Sequence, residues 1–124
     1  MDASTITTYQ MLIDGQWVNS CASEWIDVEN PAKKTIFARV PRARAADVNL
    51  AVAAAGRAFK GWKNTSAGDR SRMLHKIADG LELNKEKLAR LISLENGNAL
   101  RTQSRGEAEL TANIMRYVAG LARE

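Results

Sequence analysis

The chain has 124 residues, 45% hydrophobic and 26% charged, an ordinary composition for a soluble chain that forms one domain or part of one. Its eight glycines and two prolines exclude collagen-like and low-complexity classes, and no apolar run approaches the roughly 18–20 residues of a membrane span. The net charge of +4 is unevenly spread: residues 1–30 carry five acids and no base, residues 31–76 carry eleven bases and two acids, and the remainder is balanced.

Met1–Gln10 is polar and lacks Lys, Arg and an apolar core, so it is not a secretory or transit peptide. Its first eight residues read as a disordered tail. Met11-Leu12-Ile13-Asp14-Gly15-Gln16-Trp17-Val18 reads as a hairpin, because Asp-Gly between two apolar runs suits a type I′ turn with φ > 0 at both central positions. Trp25 to Glu29 alternates, with Ile26 and Val28 on one face and Asp27 and Glu29 on the other. Asn30-Pro31-Ala32-Lys33-Lys34 is a turn, Thr35–Val40 is a third extended run, and Pro41 stops it because proline donates nothing to a ladder. Residues 11–40 are therefore expected to form a small antiparallel meander.

Beyond Pro41 the period changes to that of a helix. Val48, Val52, Ala55, Phe59 and Trp62 form one stripe, which Asn64-Thr65-Ser66 interrupts. Ser66 and Asp69 approximate a capping box for a second helix bearing Met73, Leu74, Ile77, Ala78 and Leu81. Asn84 is placed to cap a third, with Leu88, Leu91 and Ile92, and Asn96-Gly97 supplies a left-handed stop. A fourth helix, from about Thr102 to Ala122, shows Leu110, Ile114, Tyr117, Val118 and Leu121. The fold class is α+β: a meander over 11–40, then four helices within 46–122. Neither the meander nor the helical stripes look self-sufficient, because each needs a partner for its apolar face.

No catalytic constellation is legible in the residues. His75, the one histidine, flanks its helical stripe, and nothing marks a nucleophile as its mate. Cys21 lies in the acidic third, whereas a reactive thiolate wants positive charge nearby. Being the sole cysteine, it forms no internal disulfide, and a reducing, cytoplasmic setting is the default. Glu107 and Glu109, two apart on a helix, diverge. No glycine pattern cradles a phosphate. Trp17, Trp25 and Trp62 read as packing residues. The bases of the middle third are scattered rather than clustered, which favours a solvated surface and contacts to the acidic first third over nucleic-acid binding.

Seven segments, in order, carry a resemblance to the aldehyde dehydrogenase superfamily. Met11–Val18 resembles its hydrophobic-x-hydrophobic-x-Gly-x-Trp-Val opening, Val28–Ala32 its Asn-Pro-Ala turn, and Ile36–Pro41 the strand that follows. Ala46-Asp47-Val48 to Trp62 resembles its first helix and Asp69–Leu74 the Glu-Arg-x-x-x-Leu helix. Leu94-Glu95-Asn96-Gly97 is similar to Leu-Glu-Thr-Gly-Lys-Pro, and Arg116–Gly120 to Arg-Tyr-Tyr-Ala-Gly. The family's Lys-Pro is Asn98-Ala99 here, and its second Tyr is Val118.

The resemblance runs from about Tyr9 to Glu124, with a betaine-aldehyde-dehydrogenase flavour. It implies an N-terminal segment, 9–124, of the cofactor-binding domain of an enzyme that oxidises an aldehyde to a carboxylic acid. In the family a cysteine thiolate attacks the aldehyde and hydride passes to NAD or NADP. It implies no catalytic or cofactor-binding residue in this segment, which alone would be structural and inactive. Cys21 lacks the Gly-Gln-x-Cys context of the family nucleophile. The resemblance further implies a K+ or Na+ site using carbonyls of Val28 and Glu29 and the carboxylate of Glu95. Carbonyls plus one carboxylate suit a hard, weakly charged ion. Bare apolar stripes point to a homo-oligomer. A free-standing helical interaction module, or a basic nucleic-acid-binding protein, is the competing reading.

Overall fold

A computed structural model describes residues 6–122, in two compact units, one running to Asn64 and the other starting at Thr65.

The first unit holds five strands and a helix: β1 (Thr7–Thr8), β2 (Met11–Ile13), β3 (Gln16–Val18), β4 (Trp25–Asn30), β5 (Thr35–Pro41) and α1 (Ala45–Trp62). Asp14 and Gly15 have φ of 54° and 75°, and Met11 pairs with Val18, as the hairpin reading requires. The opening strands do not make one meander, however. β2 and β3 pair only with each other, while a separate sheet runs in the order β1-β5-β4. β4 and β5 are antiparallel, and β1 lies parallel to β5 with Thr7 beside Ala38 and Thr8 beside Arg39. Thr7 and Thr8 are thus ordered by a ladder, contrary to the expected tail; residues 1–5 lie outside the described residues. The reason is local: the edge of β5 facing away from β4 offers unpaired backbone groups, and the Tyr9 N–H extends the pairing by donating to the Arg39 carbonyl at 2.9 Å. Pro41 ends β5 from within, paired opposite Trp25.

The second unit is helical: α2 (Ala67–Leu83), α3 (Lys85–Asn96), a π-helical turn (Leu100–Ser104) and α4 (Arg105–Leu121). Ser66 caps α2 as the sequence implies, its Oγ accepting from the Asp69 N–H at 3.1 Å. Asn84 does not cap α3 with its side chain; its Nδ2 donates instead to the Gly80 carbonyl at 2.8 Å and closes α2. Gly97 takes the left-handed conformation at φ 76° and ends α3. The stretch expected as the first turn of α4 is π-wound: the Ser104 N–H reaches the Ala99 carbonyl and the Arg105 N–H reaches that of Leu100.

Packing inverts the usual sorting of side chains. Among the described residues the buried apolar positions are all alanine: Ala38, Ala54, Ala78, Ala89, Ala108, Ala112 and Ala119. Many large apolar residues of the predicted stripes lie outside, with Phe59 59% and Tyr117 69% exposed, whereas Leu74, Leu81, Leu88, Leu91 and Ile92 are half-buried. Trp17 and Trp62 are exposed as well, so they do not act as packing residues within this chain. Alanines on α2 and α4 let two helix backbones approach closely, and the opposite faces keep the bulk.

Candidate functional site

The densest polar cluster surrounds Asp47, in the first turn of α1 and 3% exposed. Its Oδ1 accepts the Cys21 N–H at 2.9 Å. Its Oδ2 accepts from Ser20 Oγ at 2.9 Å and from the Arg44 N–H at 2.8 Å, with Cys21 Sγ at 3.5 Å. The Arg44 and Cys21 amides, ahead of Ser20, hold this carboxyl down at about 2, against the upward pull of burial. A carboxylate saturated in this way accepts and does not transfer protons. It staples the loop after β3 to the start of α1.

Beside it a cavity of about 340 Å³ is lined by Ile13, Val18, Cys21, Leu50 and Arg57, among others. Arg57 Nη2 is held by Asp14 Oδ2 at 2.8 Å, tying α1 to the hairpin turn. Cys21 is exposed, and its Sγ lies 3.5 Å from the Asp47 carboxylate. His75 is also apart from any nucleophile; its Nδ1 lies 2.9 Å from the carbonyl of Ser71. Glu107 accepts from Asn98 Nδ2 at 3.2 Å, away from Glu109. Some bases of the middle third meet acids of the first: Arg39 pairs with Asp27 at 2.7 Å, Arg44 with Glu24, and Arg57 with Asp14.

The three positions implicated in cation binding are divided between the two units. Val28 and Glu29 lie on β4, in the first unit, and Glu95 is exposed in the last turn of α3, in the second. Val28 faces Ala38 but Glu29 faces Ile36, so the ladder skips Phe37 at that step. Such a bulge breaks the regular pairing of backbone groups. No group of three or more His, Cys, Asp or Glu among the described residues could hold a metal by side chains alone. Sequence reasoning missed two features: Asp47, whose partners in the loop are remote in sequence, and the π-turn, which no pattern announces.

The aldehyde dehydrogenase family profile matches residues 17–124. Malonate-semialdehyde dehydrogenase 1 of Shouchella clausii (strain KSM-K16) is 41% identical over 108 residues, which are 87% of this chain and 22% of that protein. The crystal structure of an NAD-dependent aldehyde dehydrogenase from Sinorhizobium meliloti superposes with a TM-score of 0.91 at 38% identity, covering 96% of this chain and 24% of that one. A betaine aldehyde dehydrogenase mutant from Staphylococcus aureus, solved with NAD+, superposes with a TM-score of 0.88 at 32% identity, covering 93% and 23%. The chain therefore belongs to the aldehyde dehydrogenase family. It spans about a quarter or less of the length of these relatives.

Proposed function

We propose that this chain works as one segment of an NAD(P)-dependent aldehyde dehydrogenase, an oxidoreductase that converts a small aldehyde to a carboxylic acid. The match of 17–124 to the family, on a backbone similar to a full-length NAD-dependent enzyme, carries this reading. The segment's own part is architectural. Asp47, its carboxylate saturated by amide donors, ties a loop to a helix rather than serving chemistry, and no step of the oxidation is assigned to the described residues. A cytoplasmic setting and a homo-oligomeric enzyme belong to the same reading, supported by the lone Cys21 and by the bare apolar stripes.

The monovalent cation, K+ or Na+, forms a further part of the proposal. The register shift between Val28 and Glu29, opposite the skipped Phe37, makes the ladder irregular beside the two carbonyls, and Glu95 offers an exposed carboxylate. The test replaces the matching quarter of the Sinorhizobium meliloti enzyme with this chain and follows NADH formation from a small aldehyde. Retained NAD-dependent oxidation is expected. A soluble, assembled chimera with no dehydrogenase activity would contradict the reading. Affinity of the isolated chain for DNA that falls steeply with salt would favour the nucleic-acid alternative.

A further inference from the structure

We infer that the cavity between the β2–β3 hairpin and α1 is a binding site for a small, neutral carbonyl compound with a compact apolar body. The inference goes beyond the functional reading above and stands apart from it. The cavity lies wholly within the first unit, its lining running from Ile13 to Arg57. Its volume of about 340 Å³ falls in the range of small-molecule sites. The opening has a structural cause. Toward the hairpin α1 presents Ala51, Ala54, Ala55 and Ala58, whose short side chains leave a second space of about 330 Å³ beside the turn. The ion pair of Arg57 with Asp14, at 2.8 Å, spans the gap from helix to turn.

The lining decides the chemistry of the guest. Ile13, Val18 and Leu50 form an apolar wall. The carboxylates are already engaged: Asp47 accepts from two amides and the Ser20 hydroxyl, and Asp14 is held by Arg57. Donors remain. Asn19 accepts from Gln10 Nε2 at 3.1 Å through Oδ1, while its own Nδ2 has no partner among the described residues. Arg57 reaches Asp14 through Nη2 alone, so its other N–H groups are open among the described residues. A carbonyl oxygen matches such donors, because it accepts two hydrogen bonds and carries no proton. An apolar wall with a few placed donors is the usual make-up of a small-molecule site. Charge rejects ionised guests of the same size. Asp14 and Asp47 against Arg57 leave the lining one negative charge in excess, which repels an anion. A cation meets the Arg57 guanidinium and gains Asp14 only by breaking its ion pair.

Cys21 lines the same cavity and serves as its reporter. Its alkylation by iodoacetamide at mildly alkaline pH is followed by peptide mass spectrometry, which reads this thiol separately from any other. The isolated chain and the chimera with the Sinorhizobium meliloti enzyme are both tested, with acetophenone, benzoate and benzylammonium as neutral, anionic and cationic probes. Saturating acetophenone is expected to slow alkylation of Cys21 roughly threefold or more in both proteins, and the two ions to leave it unchanged. Leu50→Trp fills the cavity from its rim, where Leu50 is 60% exposed, and is expected to remove the acetophenone effect. Asn19→Ala is expected to raise the half-saturating concentration of acetophenone roughly fivefold, the loss of one hydrogen bond. Leu83→Trp, in the second unit, is expected to change nothing. Absence of protection by acetophenone, protection that survives Leu50→Trp, or equal protection by either ion overturns the proposal. Protection in the isolated chain that disappears in the chimera means that polypeptide fills the cavity, and the proposal falls. A chimera that shows the protection but no dehydrogenase activity contradicts the family reading and leaves this site standing.

Discussion

The two units hold themselves together by different means. In the first, order comes from backbone ladders and a few polar ties: the β4–β5 pairing, the Asp47 staple and the Arg57–Asp14 pair. In the second, helices meet through small residues, with ion pairs at the rim. Glu86 there takes Arg105 at 2.8 and 3.0 Å and Arg90 at 2.8 Å. The difference teaches where each unit is brittle. A unit tied by single polar groups fails when one group is lost or titrated. A unit packed through alanine fails when volume is added. Among the described residues neither unit fully buries a bulky apolar side chain; those not exposed are only half-buried.

The largest effect is expected from added volume in the helical unit. Ala112 is fully buried on α4, and Ala112→Leu should destabilise the second unit by about 1–3 kcal/mol through overpacking. The hairpin amides of the first unit should keep their exchange rates. Equal loss in both units would erase the distinction between them, and hydrogen exchange read by unit decides it.

A polar lesion should do the reverse. Asp47→Ala removes the acceptor for the Cys21 and Arg44 amides, so the loop after β3 and the first turn of α1 should open, seen as fast exchange at Cys21 and Arg44. Unchanged protection there would show that the staple is idle.

Acid sharpens the contrast in a graded way. Asp47 and Glu86 are both held at about 2, below their ordinary values of 3.8 and 4.5. Backbone donors of Arg44 and Cys21 are the main cause for the first, and the Arg105 hydrogen bond for the second. A depressed folded value means that the unfolded state binds the proton first. The contribution is therefore whole above about pH 4.5 and drains away as pH falls toward 2. Glu86 is half open to solvent, so salt should weaken its share more than that of the buried Asp47. Acid titration at low and high salt measures this.

The smallest effect concerns Ser104. Its Oγ is buried in the π-turn without a partner among the described groups. Ser104→Ala should be neutral or stabilise the second unit by about 1 kcal/mol, because it removes an unpaired hydroxyl from an apolar place. A loss of stability would mean that the hydroxyl is satisfied after all.

Much of this was legible from local chemistry. Asp14-Gly15, the Ser66–Asp69 pair and Gly97 each act within a few residues, and each does in the structure what its neighbours imply. The parallel pairing of Thr7 and Thr8 was not legible, because two threonines carry no period and their partner lies in β5. The role of Asp47 was hidden for a related reason: beside the local Arg44 amide it holds the Cys21 amide and Ser20, which only folding brings near. Periodicity identified the large stripes correctly and left open which face the unit itself covers. Alanine gives too weak a signal to show that Ala112 and Ala119, outside the stripe read on α4, are buried ones.

The most direct measurement compares hydrogen exchange of α4 in the isolated chain with that in the chimeric full-length enzyme. The account predicts amides of Arg105–Leu121 that exchange readily in the isolated chain and become strongly protected once the remaining three-quarters of the fold are attached. Full protection of α4 in the isolated, monomeric chain would contradict it.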